Sequence, residues 1–189
     1  MSPTSHAGQS RRRDALRAQV EEVAARVRSL TAGMSDAQLR WTPPDGGWSV
    51  GQVLEHLCIA DDMYLERMRA LVARPDAPRA APDAEWRPTL AGRLLVRALE
   101  RPRKLPAPRM WTPSAPRAGV AAAYASRLDE LLALLDRGAA LDWRRVRTSS
   151  PVSRLIRLNL GDCFTLLAVH GRRHLGQMER VAARPGFPA

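Results

Sequence analysis

Two histidines stand four residues apart in the run His170-Gly171-Arg172-Arg173-His174. If this run is helical, a step of four residues turns the side chain by only about 40° around the helix axis and moves it about 6 Å along that axis. Both imidazoles then project from one face, at a spacing that suits two ligands of one metal ion. The spacing is also found in interior histidines whose ring nitrogens are satisfied by hydrogen bonds, so the pair alone is a weak metal signal.

A third histidine, His56, lies at the margin of the apolar face of another helical segment. Three neutral imidazoles that converge inside a helical bundle leave one or more open positions on a divalent ion, as catalytic sites require. The metalloprotease motif His-Glu-x-x-His is excluded, because Gly171 stands where that motif needs its catalytic glutamate. The remaining histidine, His6, belongs to a segment without apolar periodicity and is not a candidate ligand.

The elements that must position these histidines are helices, because apolar residues recur at steps of three and four in four long segments. The segments are about 11–32, 50–74, 117–137 and 160–181. We therefore expect an all-α fold, with one four-helix bundle domain over residues 11–184. Residues 1–10 are expected to form a mobile tail, and residues 185–189 a C-terminal tail.

Capping signals mark where several of these helices begin. Ser49 with Gln52 has the spacing of a capping box at the start of the second long helix, and Asn159 with Asp162 forms a similar pair before the fourth. The same pattern at residues 35–38 predicts a short helical turn that ends near Trp41. The stretch 143–151 carries no periodic pattern and is expected to be irregular.

The connection between the second and third long helices, residues 75–116, contains nine of the fifteen prolines. These prolines exclude a continuous helix and leave one short helix possible over 90–99. A connection of this length either crosses from one end of the bundle to the other or covers a site, and the sequence leaves both interpretations open.

Two runs in these helices resemble the motifs of a known family. The run WSVGQVLEHL over residues 48–57 is similar to the second-helix motif W-S-x-x-x-V-L-x-H-L of the DinB/YfiT-like superfamily. The run AVHGRRHLGQ over residues 168–177 matches the last-helix motif H-x-x-R-H-x-x-Q of that superfamily. The resemblance covers about residues 11–184 in helix order and spacing.

This resemblance implies a four-helix bundle with a crossover between its second and third helices, a three-histidine divalent metal site, and homodimers. His56, His170 and His174 fall on the ligand positions of that site. Relatives include thiol-dependent S-transferases and isomerases, proteins described as hydrolases, and members without a known activity.

The leading hypothesis is a metalloenzyme in which Zn²⁺, Ni²⁺ or a similar ion activates a low-molecular-weight thiol or water against an electrophilic small-molecule substrate. The alternative is a non-catalytic bundle, stabilised by the metal or binding a small molecule, with a role in stress response.

The formal charge of +11 raises nucleic acid or an anionic surface as partners. Lys104 is the only lysine among the 30 basic residues, and the arginines are scattered over every segment rather than gathered in a stripe, which argues against nucleic-acid binding. Arg172 and Arg173 are either solvated or add positive charge that favours an anionic thiol near the site.

No run reaches the roughly 20 apolar residues of a membrane span, and no apolar run follows the basic N-terminus, so we expect a cytoplasmic protein without membrane contact.

Cys58 and Cys163 are candidate nucleophiles or extra ligands, but core packing with reduced thiols is the simpler interpretation of both. Asp61, Asp62 and Glu66 follow His56 on the same helix and could supply a base or an outer partner of a ligand. A solvated acidic face is the simpler interpretation of these three.

The tryptophans Trp41, Trp48, Trp86 and Trp111 are interpreted as packing or lid residues, because no regular alternation of basic and aromatic residues surrounds them. Gln177 is a candidate support for His174 or for the mouth of the site.

Overall fold

The computed structural model describes residues 8–82, 84–101, 107–113 and 115–189. In chain order its elements are α1 Gln9–Thr31, α2 Asp36–Arg40, α3 Val50–Val72, α4 Leu90–Glu100, the 3₁₀ turn Arg109–Trp111, α5 Val120–Arg137, β1 Arg147–Ser149, β2 Arg157–Asn159 and α6 Leu160–Ala182. The predicted all-α four-helix bundle is confirmed, with α1, α3, α5 and α6 as its long helices. Within these described ranges, no helix is long and apolar enough to cross a membrane.

The four long helices pack so that α1 and α3 each contact both α5 and α6. Ion pairs join α3 to α5 in rising order along both helices, first Asp62 to Arg127 and then Arg69 to Glu130. These two neighbouring helices therefore run in the same direction. The predicted crossover between the second and third long helices stays a prediction.

Capping boxes fix the start of the two helices that carry the histidines. The Ser49 hydroxyl accepts a hydrogen bond from the backbone N–H of Gln52, whose side chain accepts one from the backbone N–H of Ser49. Asn159 and Asp162 form the same reciprocal pair at the start of α6, and α2 opens in this way too. All three predicted capping boxes are confirmed, and each satisfies backbone N–H groups that a helix leaves without a partner.

The core between the helices is mostly aliphatic. Its largest fully buried side chains are Trp143, Tyr124, Phe164, Leu16, Leu54, Leu57, Leu65, Met68, Leu131, Leu134, Leu135 and Leu158. Trp143 follows α5, stacks on Phe164 with 4.8 Å between ring centres, and donates its indole N–H to the carbonyl oxygen of Gly138. The end of α5 is thereby tied to the first half of α6.

Two of the long helices start at residues other than the predicted ones. α1 begins at Gln9 because the Gln9 side chain is buried, donating to the carbonyl oxygen of Leu141 and accepting from the backbone N–H of Trp143. α5 begins at Val120, three residues later than predicted, because Gly119 has a φ of +68° and interrupts the helical conformation.

The stretch 143–151 is not irregular throughout, so this expectation is wrong. β1 pairs with β2 in antiparallel register, with Arg147 opposite Asn159 and Ser149 opposite Arg157. Each strand has only three residues, too few for an alternating pattern to appear in the sequence. The hairpin is held by contacts of β2 with α4 and α6 rather than by its own length.

The predicted tails are described in part. Residues 1–7 of the expected N-terminal tail lie outside the described residues. Of the C-terminal residues 185–189, Phe187 packs edge-on against Trp41 with 5.5 Å between ring centres, and the carbonyl oxygen of Pro188 accepts a hydrogen bond from the Gln38 side chain. This end of the chain is therefore packed against the short helix α2.

A dense polar junction fastens α4 to the start of α6. The Thr89 hydroxyl caps α4 by accepting from the backbone N–H of Gly92 and donates to the Asp162 carboxylate at 2.7 Å. The Trp86 indole donates to the Asn159 side chain at 2.9 Å. Gly92 lies so close to Asp162 that a Cβ there would overlap its carboxylate. The possible short helix over 90–99 is confirmed as α4. It can pack this close to α6 because Gly92 has no side chain.

We expect Gly92→Ala to lower the free energy of unfolding by about 1–3 kcal/mol, because the new methyl group collides with the Asp162 carboxylate. Gly176→Ala is the matched control, since a Cβ there meets only the flexible Arg180 side chain at 3.4 Å. That substitution should stabilise the protein by about 0.5–1 kcal/mol through helix propensity. Urea unfolding followed by far-UV circular dichroism measures both. Equal stabilisation by the two substitutions would contradict the close contact of α4 with α6.

Candidate metal centre

The three histidines singled out by the sequence meet between α3 and α6. One ring nitrogen from each of His56, His170 and His174 lies within 4.8 Å of those from the other two. The Nε2 atoms of His56 and His170 are 3.1 Å apart, and the three ring centres are separated by 4.6 Å to 5.1 Å. The structure therefore brings together all three predicted site residues, while His6 lies outside the described residues.

Two of the rings are held through their Nδ1 atoms by oxygen acceptors. Nδ1 of His56 lies 2.8 Å from the carbonyl oxygen of Trp111, and Nδ1 of His174 lies 2.8 Å from Oε1 of Gln177. Because these oxygens can only accept, both Nδ1 atoms carry the proton, and both neutral rings carry a lone pair on Nε2. The predicted support of His174 by Gln177 is confirmed.

The third ring faces a buried carboxylate. Nδ1 of His170 lies 3.6 Å from Oδ1 of Asp61, which is close enough for a charge interaction and too far for a hydrogen bond. Asp61 is only 2% exposed, and Oδ1 has no hydrogen-bond donor. Burial raises the pKa of Asp61 to about 8. A divalent cation held beside His170 would lower this pKa again.

This placement corrects the interpretation of Asp61, Asp62 and Glu66 as one solvated acidic face. Glu66 is exposed, and Asp62 is partly exposed and accepts a hydrogen bond from Arg127 at 2.6 Å. Asp61 instead points into the bundle. Its position four residues before the buried Leu65 put it on the apolar stripe of α3, and that was the signal in the sequence.

Burial keeps the three imidazoles neutral. It lowers the pKa of His170 to about 3, brings the pKa of His174 well below its ordinary value, and lowers the pKa of His56 to a smaller degree. Each of the three residues is at most 9% exposed. Protonation of these rings is therefore unfavourable, and a proton is not the cation that we expect to find between their nitrogens.

The donor set fits a divalent metal ion. Two imidazole nitrogens bound to one tetrahedral Zn²⁺ at about 2.0–2.1 Å are about 3.3 Å apart, close to the 3.1 Å between Nε2 of His56 and Nε2 of His170. At such a distance two nitrogens need a proton or a cation between them. Neutral imidazoles with Nδ1 already engaged are the usual donors of Zn²⁺, Ni²⁺ and related ions.

Aromatic side chains surround the His56 end of the cluster. The ring centre of Trp48 lies 4.9 Å from that of His56, and the ring centre of Trp111 lies 6.5 Å from it. The Trp111 indole N–H points at the sulfur of Met63, at 3.1 Å. These contacts agree with the interpretation of the tryptophans as packing residues, and they shield this side of the cluster from water.

Neither cysteine joins the cluster. Cys58 and Cys163 are both fully buried free thiols. Burial raises the pKa of Cys58 to about 11 and that of Cys163 to about 12, so neither forms a thiolate near neutral pH. Their interpretation as core residues is confirmed.

The two arginines between the histidines hold α4 in place. Arg173 donates to the carbonyl oxygens of Leu99 and Arg101 at 2.7 Å and 2.8 Å, at the C-terminal end of α4. Arg172 lies 3.6 Å from the Glu100 carboxylate. Both are engaged with α4. Behind the dominant effect of burial, the charge of Arg173 still contributes to the lowered pKa values of His170 and His174.

One partner in the site could not be found from the sequence. The group that Trp111 offers to His56 is its backbone carbonyl, which any residue supplies, and it lies on the connection after α4. No side-chain pattern in a Pro-rich segment indicates which carbonyl turns toward the bundle.

The comparisons with known proteins agree with this architecture. YfiT from Bacillus subtilis, described as "a probable metal-dependent hydrolase with an unusual four-helix bundle topology", superimposes with a TM-score of 0.60. The alignment covers 100% of this chain and 95% of YfiT at 20% sequence identity, which shows a shared fold. A protein of Geobacillus thermodenitrificans named "Putative metal-dependent hydrolase" is 33% identical over 79 residues. That match spans 41% of this chain and 44% of the relative, less than half of either.

The family model of the DinB superfamily matches residues 19–178, a range that contains His56, His170 and His174. The match includes all of α3 and all but the last turn of α6, so it covers both helices that form the cluster. The resemblance found in the two sequence motifs is confirmed, and the chain belongs to the DinB superfamily.

Proposed function

We propose that His56, His170 and His174 bind one divalent metal ion and that the protein is a metal-dependent enzyme of the hydrolase type. The observation that carries this proposal is the convergence of three buried, neutral imidazoles within 4.8 Å. Bound there, the ion supplies Lewis acidity that lowers the pKa of a coordinated water or thiol toward neutrality. The names of the two relatives as metal-dependent hydrolases support water as the first candidate nucleophile.

The number of protein donors favours catalysis over a structural role for the ion. Structural zinc sites are closed by four protein ligands, whereas catalytic sites keep a position open. In the part of the chain that the structure describes, the cluster has three donors. Asp61 lies on the Nδ1 side of His170, behind the ring, and is not turned toward the shared point of the Nε2 atoms.

The chain offers no nucleophilic thiol of its own at this site, because both cysteines are buried with raised pKa values. A thiol reaction would therefore use an external low-molecular-weight thiol as a second substrate. Such S-transfer is the finer alternative to hydrolysis within the same proposal, since the same three ligands suit both nucleophiles. The role of the side chains is then to hold the ion and, through Trp48 and Trp111, to exclude bulk water.

The partners proposed for this chain are a small-molecule substrate and a second copy of itself. Leu90 and Leu94 lie one turn apart on α4 and are 64% and 55% exposed, which supports an apolar contact outside the bundle. Homodimerisation stays a prediction that light scattering on the purified protein can check.

Purified protein is expected to bind about one divalent ion per chain. His56→Ala, His170→Ala and His174→Ala should each weaken binding by more than about 100-fold, since the loss of a direct ligand exceeds the 10–100-fold loss typical of an outer partner. Competition with a chromophoric chelator measures the affinity, and elemental analysis of protein made without a His-tag measures the content. His6→Ala is the control and should bind normally. Protein that takes up none of Zn²⁺, Ni²⁺, Mn²⁺ or Fe²⁺ would contradict the assignment.

Both thiols of the folded protein should resist Ellman's reagent at neutral pH and react only after denaturation, because they are buried and protonated. The measurement is the absorbance released with and without urea. Rapid reaction of one thiol in the folded state would reopen Cys58 or Cys163 as a nucleophile.

Turnover is expected to follow metal content. Holo-protein should hydrolyse activated substrates, tested with p-nitrophenyl acetate and p-nitrophenyl phosphate, faster than metal-free protein or His174→Ala. A parallel assay offers cysteine or glutathione with 1-chloro-2,4-dinitrobenzene and measures thiol transfer. Cys58→Ala is the control and should keep full activity. A metal-loaded protein that turns over nothing, with four protein ligands by X-ray absorption spectroscopy, would instead favour the non-catalytic alternative.

A further inference from the structure

Asp61 is a carboxylate in an unusual place for an acidic side chain. It lies inside the bundle on α3, and its Oδ1 has no hydrogen-bond donor. Burying a charged or unsatisfied polar group costs several kcal/mol unless a partner compensates it. A carboxylate retained at such a position therefore needs a compensating charge or donor close by.

Among the described residues no neighbouring polar group donates a hydrogen bond to Oδ1, although the charges of His56 and Arg127 act against the burial that raises the pKa of Asp61. The Arg127 guanidinium on α5 donates to Asp62 rather than to Asp61. The buried hydroxyl of Tyr124 has no hydrogen-bond partner either, so it does not reach the carboxylate. The group that Oδ1 does face is Nδ1 of His170, at 3.6 Å. At this distance the two groups interact through charge rather than through a hydrogen bond.

The tautomer of His170 connects this contact to the cluster. A histidine that binds an ion through Nε2 must carry its proton on Nδ1. Nε2 of His170 faces Nε2 of His56 at 3.1 Å, so Nε2 is the nitrogen on the side of the shared point and Nδ1 is the nitrogen on the side of Asp61. A carboxylate is the acceptor that most strongly favours a proton on Nδ1.

We propose that Asp61 is a positioning residue of the metal centre: it holds His170 in the ligating tautomer and orientation and balances part of the charge of the ion. This inference rests on the proposed metal binding. His56 and His174 face neutral acceptors, a carbonyl and an amide oxygen, so Asp61 supplies the one negative charge that touches a ligand of the cluster among the described residues.

The test compares Asp61→Asn and Asp61→Leu with the matched control Asp62→Asn, the neighbouring acid whose partner is Arg127. The affinity for Zn²⁺, measured by chelator competition, should fall about 10–100-fold in Asp61→Asn and at least as far in Asp61→Leu. Asp62→Asn should stay within about twofold of the wild type.

A second measurement separates positioning from a structural role. The metal-free Asp61 variants should unfold at the same temperature as the metal-free wild type or above it, because they remove an uncompensated buried acid. A merely structural carboxylate predicts the reverse, a lower unfolding temperature together with the loss of affinity.

The Co²⁺-loaded protein gives a direct signature. Its proton NMR spectrum should show an exchangeable, paramagnetically shifted Nδ1–H signal from each of three histidines. One of these signals should be lost to solvent exchange in Asp61→Leu, where the carboxylate that faces it is gone.

Wild-type affinity in both Asp61 variants would overturn this inference and leave the proposed metal site intact. So would an equal loss in Asp62→Asn, or a fall in the stability of the metal-free Asp61 variants that accounts for the lost affinity. A wild-type protein that binds no Zn²⁺ would instead reject the metal site itself.

Discussion

Three imidazole nitrogens buried close to one point are the constraint on which the rest of this structure depends. The rings of His56 and His174 are fixed by oxygen acceptors behind them, which directs their lone pairs toward each other and toward His170. Burial makes protonation of the rings unfavourable, so the natural counterpart of this arrangement is a metal cation. The rest of the bundle fixes the relative position of two helices. These are α3, which carries His56, and α6, which carries His170 and His174.

That relative position is set at the helix starts. The capping boxes of α3 and α6 fix where each helix begins, seven residues before His56 and eleven before His170 when counted from Ser49 and Asn159. The carbonyl of Trp111, which lies on the connection after α4, contacts Nδ1 of His56, so this connection also supports a ring of the candidate centre.

Much of this arrangement could be predicted from the sequence, because the relevant signals are local. Capping spacing and apolar periodicity located the helices, and the four-residue step placed His170 and His174 on one face. Periodicity places His56 only at the margin of its helix face, and the family resemblance strengthened its prediction as the third ligand. The hairpin, the Trp111 carbonyl and the contact of Asp61 with His170 could not be predicted, because each depends on contacts with segments distant in the chain. The burial of Asp61 could nevertheless be predicted, because Asp61 lies among the apolar residues of α3.

The charges around the cluster determine what kind of chemistry the proposed site can support. Three neutral imidazoles leave the full double charge of a divalent ion in place, and a single carboxylate behind one ring reduces it to a net of about +1. Arg173 adds a positive field without entering the cluster, because its guanidinium is bound to the end of α4. Such a site lowers the pKa of a bound nucleophile and stabilises negative charge that develops on a substrate. A site with several carboxylate ligands would lower the pKa of a bound nucleophile less and would stabilise negative charge on a substrate less. The low negative charge of the ligands therefore favours activation of a nucleophile over storage of the ion.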